Sequence, residues 1–432
     1  MKKMKLLLKK GLVAVNPLIV LFYIRQALSK TKEVSPQLKK PQNTINFLAL
    51  SSNRFMEDLE ILSADEKFRV YTLSPVYQGR ILSLYQEIED REILHNFLKK
   101  FLKIYFKKIR IDCVLSPTFW YSYDIPWGKA AESLGIPYVA FHKESYKPEK
   151  PQQETTALRA KRQGPFVGSH LIVHNQHIKD LLIREGFVEK NKISSLGCMR
   201  MDRLVNAIKN GVPKVDRKKQ VTLFSFAHYI GLDDYFIETT VLEANPFLGW
   251  IRLFEQTHVA FVRAAQRCPE ATFIIKPKKE RTAYLRIEQA LKISKINTNE
   301  IPNLIIDYNL SSYDCIINSD VVCTFQSMTN LEAAILGKPV IVPHFEEALR
   351  PMYQDHLKLF THYDIFDVAR SPEEFEELII KRLNDNYISD EIMEKRRALF
   401  SEWISDLEGQ ATEKYKSLLQ TVVNNKKREA LC

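Results

Sequence analysis

The stretch from Thr324 to Pro343 reads TFQSMTNLEAAILGKPVIVP. An apolar run, VVCTF at 321–325, enters a turn carrying Ser327 and Thr329; a helical pattern follows and is stopped by Gly337 and Pro339 before a second apolar run. Strand, hydroxyl-bearing turn, helix, glycine stop and strand make a βαβ unit. Where such a helix begins, free N–H groups and the positive end of its dipole favour an anion, which makes Ser327 and Thr329 candidates for holding a phosphate. Glu332, one turn inside, is placed to accept a hydrogen bond from a ribose hydroxyl. The competing reading is a capped helix whose hydroxyls bond only their own backbone.

The same alternation extends outward on both sides. INFLAL (45–50), FRVYTL (68–73), DCVLSP (112–117), PYVAFH (137–142) and HLIVHN (170–175) read as strands, with helical stretches between them. A polar break, NGVPKVDRKKQ at 210–220, separates them from VTLFSF (221–226), TFIIKP (272–277), NLIIDY (303–308), VVCTF and PVIVPH (339–344). The pattern predicts an α/β chain of two Rossmann-like, doubly wound parallel-sheet domains facing a central cleft. The expected divisions are a basic and apolar segment at 1–44, a first domain at 45–213, a second at 214–386, and a helical end at 387–432 that packs back on the first.

With 432 residues the chain is long enough for two such cores. Its six cysteines form no C-x-x-C pair, which fits a reducing compartment. The formal charge of +11 is concentrated: residues 1–44 hold ten Lys or Arg against the single acid Glu33, leaving the remainder near +2. Beside those charges lies GLVAVNPLIVLFYI (11–24), interrupted by Asn16 and Pro17 and shorter than the roughly 20 residues of a bilayer span. Basic residues flanking a short apolar stretch point to an anionic membrane surface, with packing against the body, a span or an uncleaved signal as alternatives. NFLKKFLKIYFKKIR (96–110) is a second basic amphipathic stretch, read either as a lipid-facing helix or as a sheet cover with solvated lysines. No nucleic-acid motif is present.

Two further stretches carry chemistry. FIIKPKKE (273–280) places Lys276 and Lys278 after a strand, and GCMRMDRL (197–204) offers Arg200, whose guanidinium is suited to clamping an anion. A solvated strand end and an ion pair with a neighbouring acid are the plainer readings of Lys276 and Arg200. With SDVV (319–322) before QSMTNLEAAILGKPVI (326–341), these runs resemble, in order and spacing, the nucleotide-binding signature of GT-B-fold glycosyltransferases. The likeness is to the bacterial surface-polysaccharide and CDP-glycerol glycerophosphotransferase group, and it covers 170–345. It implies a donor diphosphate on Ser327 and Thr329, its ribose on Glu332, and phosphate charge on Lys276, Lys278 and Arg200. Lys278 stands where relatives often show histidine.

For the chemical step, His142 directly follows a strand, with Glu144 a further candidate two residues on; the imidazole is placed to take a proton from an acceptor hydroxyl. A structural histidine is the alternative. His228 and Asp233, in FSFAHYIGLDDYF (224–236), are second candidates, as base or nucleophile, against a plain polar loop. No metal-ligand spacing is seen, so lysines and Arg200 are expected to neutralise the leaving diphosphate. The resemblance implies a metal-independent enzyme without a cofactor, using a nucleotide-activated sugar as co-substrate and a glycan or lipid-linked glycan as acceptor, at the cytoplasmic face of the cell membrane. Transfer of glycerol phosphate from CDP-glycerol and a catalytically silent assembly subunit are the alternatives; a sugar-nucleotide 2-epimerase is disfavoured, because that role does not require a basic, lipid-seeking N-terminus.

Overall fold

Two sheets organise the chain. The computed structural model describes residues 17–36, 41, 43–83, 91–211, 217–232, 248–278 and 281–429. Its backbone divides into a first unit, Met1–Ser145, Ala157–Asp202 and Glu408–Cys432, and a second, Tyr146–Thr156 and Arg203–Leu407.

In the first unit the strands are β1 (Thr31–Glu33), β2 (Ile45–Ala49), β3 (Phe68–Leu73), β4 (Cys113–Ser116), β5 (Tyr138–His142), β6 (His170–Val173) and β7 (Ile193–Ser195). They lie in the order β1-β3-β2-β4-β5-β6-β7, parallel except for β1 at the edge. Both faces of the sheet are covered, which is why its central strands are continuous apolar runs. One face packs Phe97, Phe101 and Trp127 against Val114 and Leu171. The other packs Leu59 and Leu62 with Tyr415, Leu419 and Val423 of the helix Ala411–Glu429. The Asp202 carboxylate fixes the start of that helix by accepting the N–H groups of Ala411 (3.0 Å) and Thr412 (2.7 Å).

Part of the basic apolar segment is core. Pro17–Lys30 is a helix whose inner face, Val20, Tyr23, Ile24 and Ala27, is buried with Phe97, and the Tyr77 hydroxyl donates to the Tyr23 carbonyl. One face of this helix thus packs against the body, the alternative the sequence offered, while 11–16 fall outside the described residues. In the helix Arg91–Ile109, Phe97, Leu98, Phe101, Leu102, Tyr105 and Phe106 cover the sheet and the lysines face outward. Among the described residues no helix is long and apolar enough to cross a membrane.

In the second unit β8 (Gln220–Phe224), β9 (Thr272–Lys276), β10 (Leu304–Ile306), β11 (Val321–Thr324), β12 (Val340–Pro343) and β13 (Asp367–Ala369) form an all-parallel sheet. Its order, β10-β9-β8-β11-β12-β13, is the doubly wound arrangement in which the winding reverses between the first and fourth strands. Leu223, Ile275, Val322 and Ile341 are buried beneath Phe254 and Phe261 of the helix Ile251–Arg267. The chain is thus α/β with two parallel, Rossmann-like sheets, as its sequence predicts.

Candidate functional site

Ligands of doubly wound sheets bind beyond the carboxyl ends of the strands where the winding reverses, which in the second unit is between β8 and β11. Phe224 is in register with Lys276 on one side and Thr324 on the other, so three strands end level. Ser225 follows, and its N–H donates to the Lys276 carbonyl at 3.0 Å. Lys276 is largely buried at this edge.

The stretch quoted at the outset turns here in a specific way. Gln326 adopts φ +57°, a left-handed conformation uncommon for a side-chain-bearing residue. Its amide holds it there: Nε2 donates to the His356 carbonyl and Oε1 accepts from the Lys358 N–H, both at 2.7 Å. Beyond this turn the Ser327 and Thr329 hydroxyls meet at 2.9 Å. The helix Thr329–Ile335 ends as the sequence predicts, with Gly337 at φ +72°. Its N–H reaches the Ala334 carbonyl (3.1 Å) and that of Lys338 reaches Ala333 (3.2 Å), while buried Arg396 takes further carbonyls at Ala334 and Lys338. With only seven residues the helix sums few peptide dipoles, so hydroxyls and lysine carry more of the anion argument than the sequence reading assumed.

A second helix start on this sheet is taken. Ile251–Arg267 has 17 residues, but the buried Glu347 carboxylate accepts the N–H groups of Arg252 (2.9 Å) and Leu253 (2.8 Å). The protein's own anion thus sits where a phosphate would otherwise be favoured.

Beside Ser225 lies His258, fully buried, with Nδ1 2.6 Å from the Phe254 carbonyl and Nε2 2.9 Å from Ser225 Oγ. A carbonyl only accepts, so Nδ1 carries the hydrogen and Nε2 accepts from Ser225. Burial pushes this imidazole down to about 4, which keeps it neutral and Ser225 oriented. His228 packs its ring 4.7 Å from Phe254; burial and Arg286 lower its pKa, and its Nε2 is buried with no hydrogen-bond partner among the described residues. Glu332 is half-buried and Lys278 exposed, and Asp233 lies outside the described residues. Ser225, His258, Gln326 and Glu347 were missed by the sequence reading.

The first unit holds the remaining candidates. His142 ends β5 with no accessible surface, its Nδ1 2.9 Å from the Thr118 hydroxyl and its ring 4.6 Å and 4.5 Å from Phe119 and Trp120. An acceptor does not reach it as it stands. Glu144 is partly exposed, with Lys143 Nζ 3.7 Å away. Arg200 lies 3.4 Å from Asp58 and 3.8 Å from Glu57. Burial raises the Asp58 carboxyl, against the pull of Arg200 and Lys143, while burial and then those two cations push His174 down to about 3. Lys143, Asp58 and His174 therefore join Arg200 in a charged cluster that the motifs did not reveal. Among the described residues no group of three or more His, Cys, Asp or Glu is gathered to hold a metal ion.

No protein-family model matches the chain, and neither does any curated protein. Among solved structures it is similar to a UDP-GlcNAc 2-epimerase from Neisseria meningitidis bound to UDP-GlcNAc, with 14 % identity over 88 % of this chain and 100 % of that one and a TM-score of 0.47. A putative UDP-N-acetylglucosamine 2-epimerase from Listeria monocytogenes gives 12 % over 88 % and 97 % with a TM-score of 0.49. A glycosyltransferase from Rickettsia africae gives 12 % over 89 % and 100 % with 0.46. At such identities and scores these likenesses carry no argument about activity, and the fold rests on the strand order of the two sheets themselves.

Proposed function

We propose that this chain is a GT-B-type glycosyltransferase that moves a sugar from a nucleotide-activated donor to a cell-surface glycan. The observation that supports this best is the winding reversal of the second unit, where Lys276 ends one strand flanking β8 and the Ser327–Thr329 hydroxyl pair follows the other, while a neighbouring helix start is filled by Glu347. A diphosphate leaving group gains negative charge as the glycosidic bond breaks, and a buried ammonium with hydroxyl donors stabilises that charge. Glu332 takes the ribose, and Lys278 adds positive charge. Glu144 serves as the base toward the acceptor in preference to His142, because its carboxylate reaches solvent; His228 is the reserve candidate on the donor side.

The screen that tests this is thermal unfolding with UDP-, CMP-, CDP- and GDP-linked sugars and with CDP-glycerol. A true donor at 100 times its Kd stabilises by about 2.7 kcal/mol. Replacing Lys276 with alanine removes charge-assisted bonds of roughly 1.5–3 kcal/mol and weakens the donor on the order of 10- to 100-fold. If no nucleotide raises the midpoint, or the lysine variant responds as the parent does, the reading is lost; a response to CDP-glycerol alone, with a phosphodiester in the product, transfers it to glycerol phosphate chemistry.

One further observation supports the proposal of an acceptor at the cytoplasmic face of the membrane. The outer face of Pro17–Lys30 exposes Leu18, Leu21 and Phe22 beside Arg25, and Arg91–Ile109 turns Lys99, Lys100, Lys103, Lys107 and Lys108 outward. Vesicles containing anionic phosphatidylglycerol should sediment the protein and neutral phosphatidylcholine should not, and the Leu18→Ser, Phe22→Ser double variant should stay in the supernatant. Equal sedimentation of parent and variant removes this placement.

A further inference from the structure

We infer that the first unit carries a second ligand site, at the amino ends of its strands, built for an acidic saccharide. A cavity of about 520 Å³ opens there beside the helix Ala411–Glu429, at the opposite end of the strands from Lys143 and His174. That volume falls within the roughly 300–1,000 Å³ of ligand pockets, yet its walls are polar, with Ile45 as the apolar exception and no aromatic ring.

Some of the wall is already engaged. Asp112 accepts the Asn46 N–H at 2.9 Å on one oxygen and meets Lys427 Nζ at 2.8 Å on the other. Asn46 in turn donates to the Arg110 carbonyl at 2.8 Å. The side chains of Lys67, Arg110, Asn43, Gln420 and Asn424 make no hydrogen bond or ion pair among the described residues.

Arg110 supplies the second observation. It directly follows the helix Arg91–Ile109 at φ +53°, and the Ile111 N–H closes on the Phe106 carbonyl at 3.2 Å. This is the left-handed position after a helix where glycine fits without steric penalty and a side chain does not. An arginine held there is strained, and such strain clusters where a side chain serves a ligand. Its guanidinium and the Lys67 ammonium match a carboxylate or phosphate, and three side-chain amides that both donate and accept match sugar hydroxyls. With no ring to stack on, a nucleobase is disfavoured, and with a wall that is mostly polar so is a lipid tail. The site goes beyond the donor reading and does not depend on it.

Titration calorimetry on the full chain tests it, with a hyaluronan hexasaccharide and glucose 1-phosphate as acidic probes, and maltohexaose and inorganic phosphate as controls. At least one acidic probe should bind at least tenfold more tightly than either control; which one does so tells carboxylate from phosphate. Arg110→Gly should weaken that probe at least tenfold while leaving the thermal midpoint equal or higher, and Lys67→Gln should weaken it with the midpoint unchanged. The nucleotide response should be the same in both variants. Unchanged binding by Arg110→Gly, or inorganic phosphate binding as tightly as the acidic sugars, overturns the assignment, as does a midpoint that falls in Arg110→Gly because the arginine was serving the helix end.

Discussion

In the first unit the winding reverses between β2 and β4, and the crevice there is closed by the protein itself; in the second it reverses between β8 and β11, at a level strand edge followed by hydroxyls and a lysine. The closure is a buried network around Asp124. Ser51 Oγ (2.8 Å) and Gln78 Nε2 (2.6 Å) donate to one carboxylate oxygen, and Ser116 Oγ (2.7 Å) approaches the other. Ser225, Lys276, Ser327 and Thr329 occupy the equivalent place in the second unit without a buried acid among them. Topology thus offers two places of one kind, and the side chains filling the first are why we propose the second for the nucleotide.

The largest effect expected from breaking this contrast lies at Asp124. Burial pushes its carboxyl up to about 6 despite three donors. The local geometry favours the neutral form, because Ser116 has one hydrogen and also lies 2.9 Å from the Thr118 carbonyl. A protonated Asp124 donates to Ser116 and frees that hydrogen for Thr118. A folded-state pKa above the unfolded value of 3.8 means stability fully present below pH 4 and lost as pH rises through about 6. The difference of roughly two units corresponds to about 3 kcal/mol. Asp124→Asn, whose amide can donate to Ser116 in the same way, should therefore be more stable than the parent at pH 7.5 by on the order of 3 kcal/mol, and nearly equal to it at pH 4. Urea unfolding at the two pH values checks this; parallel losses of stability in both proteins would show that Asp124 does not titrate in the closure.

How much of this was legible follows from sequence separation. Ten strands announce themselves as apolar runs, nine of them four or more residues long and the three-residue β10 within the longer run NLIIDY, and Lys276, Ser327 and Thr329 are found because they follow such runs directly. β1, β7 and β13 have three residues each, too few to show a period. The helix Lys150–Gln163, KPQQETTALRAKRQ, lacks the apolar stripe that betrays the others. The partners Ser225 and His258 are 33 residues apart, and Glu347 is 95 from Arg252, so neither pair leaves a local trace. The surroundings of His142 were hidden for the same reason: its place after a strand is visible, while the rings of Phe119 and Trp120 that enclose it come from another loop.

A smaller effect, with more power to discriminate, is expected at Glu347. Its two carboxylate oxygens cap the helix Ile251–Arg267, and glutamine keeps only one acceptor and no charge. Loss of a cap and of its favourable dipole interaction should lower stability by about 1–2 kcal/mol, read from urea unfolding. The consequence for the donor is sharper. With the diphosphate on the Ser327–Thr329 turn, nucleotide affinity in Glu347→Gln should stay within about twofold of the parent, a shift of roughly 0.4 kcal/mol. Should the diphosphate instead belong at the start of Ile251–Arg267, removing the competing carboxylate would tighten binding, and a gain of tenfold or more in calorimetry would move the site from one helix start to the other while leaving it on the same sheet.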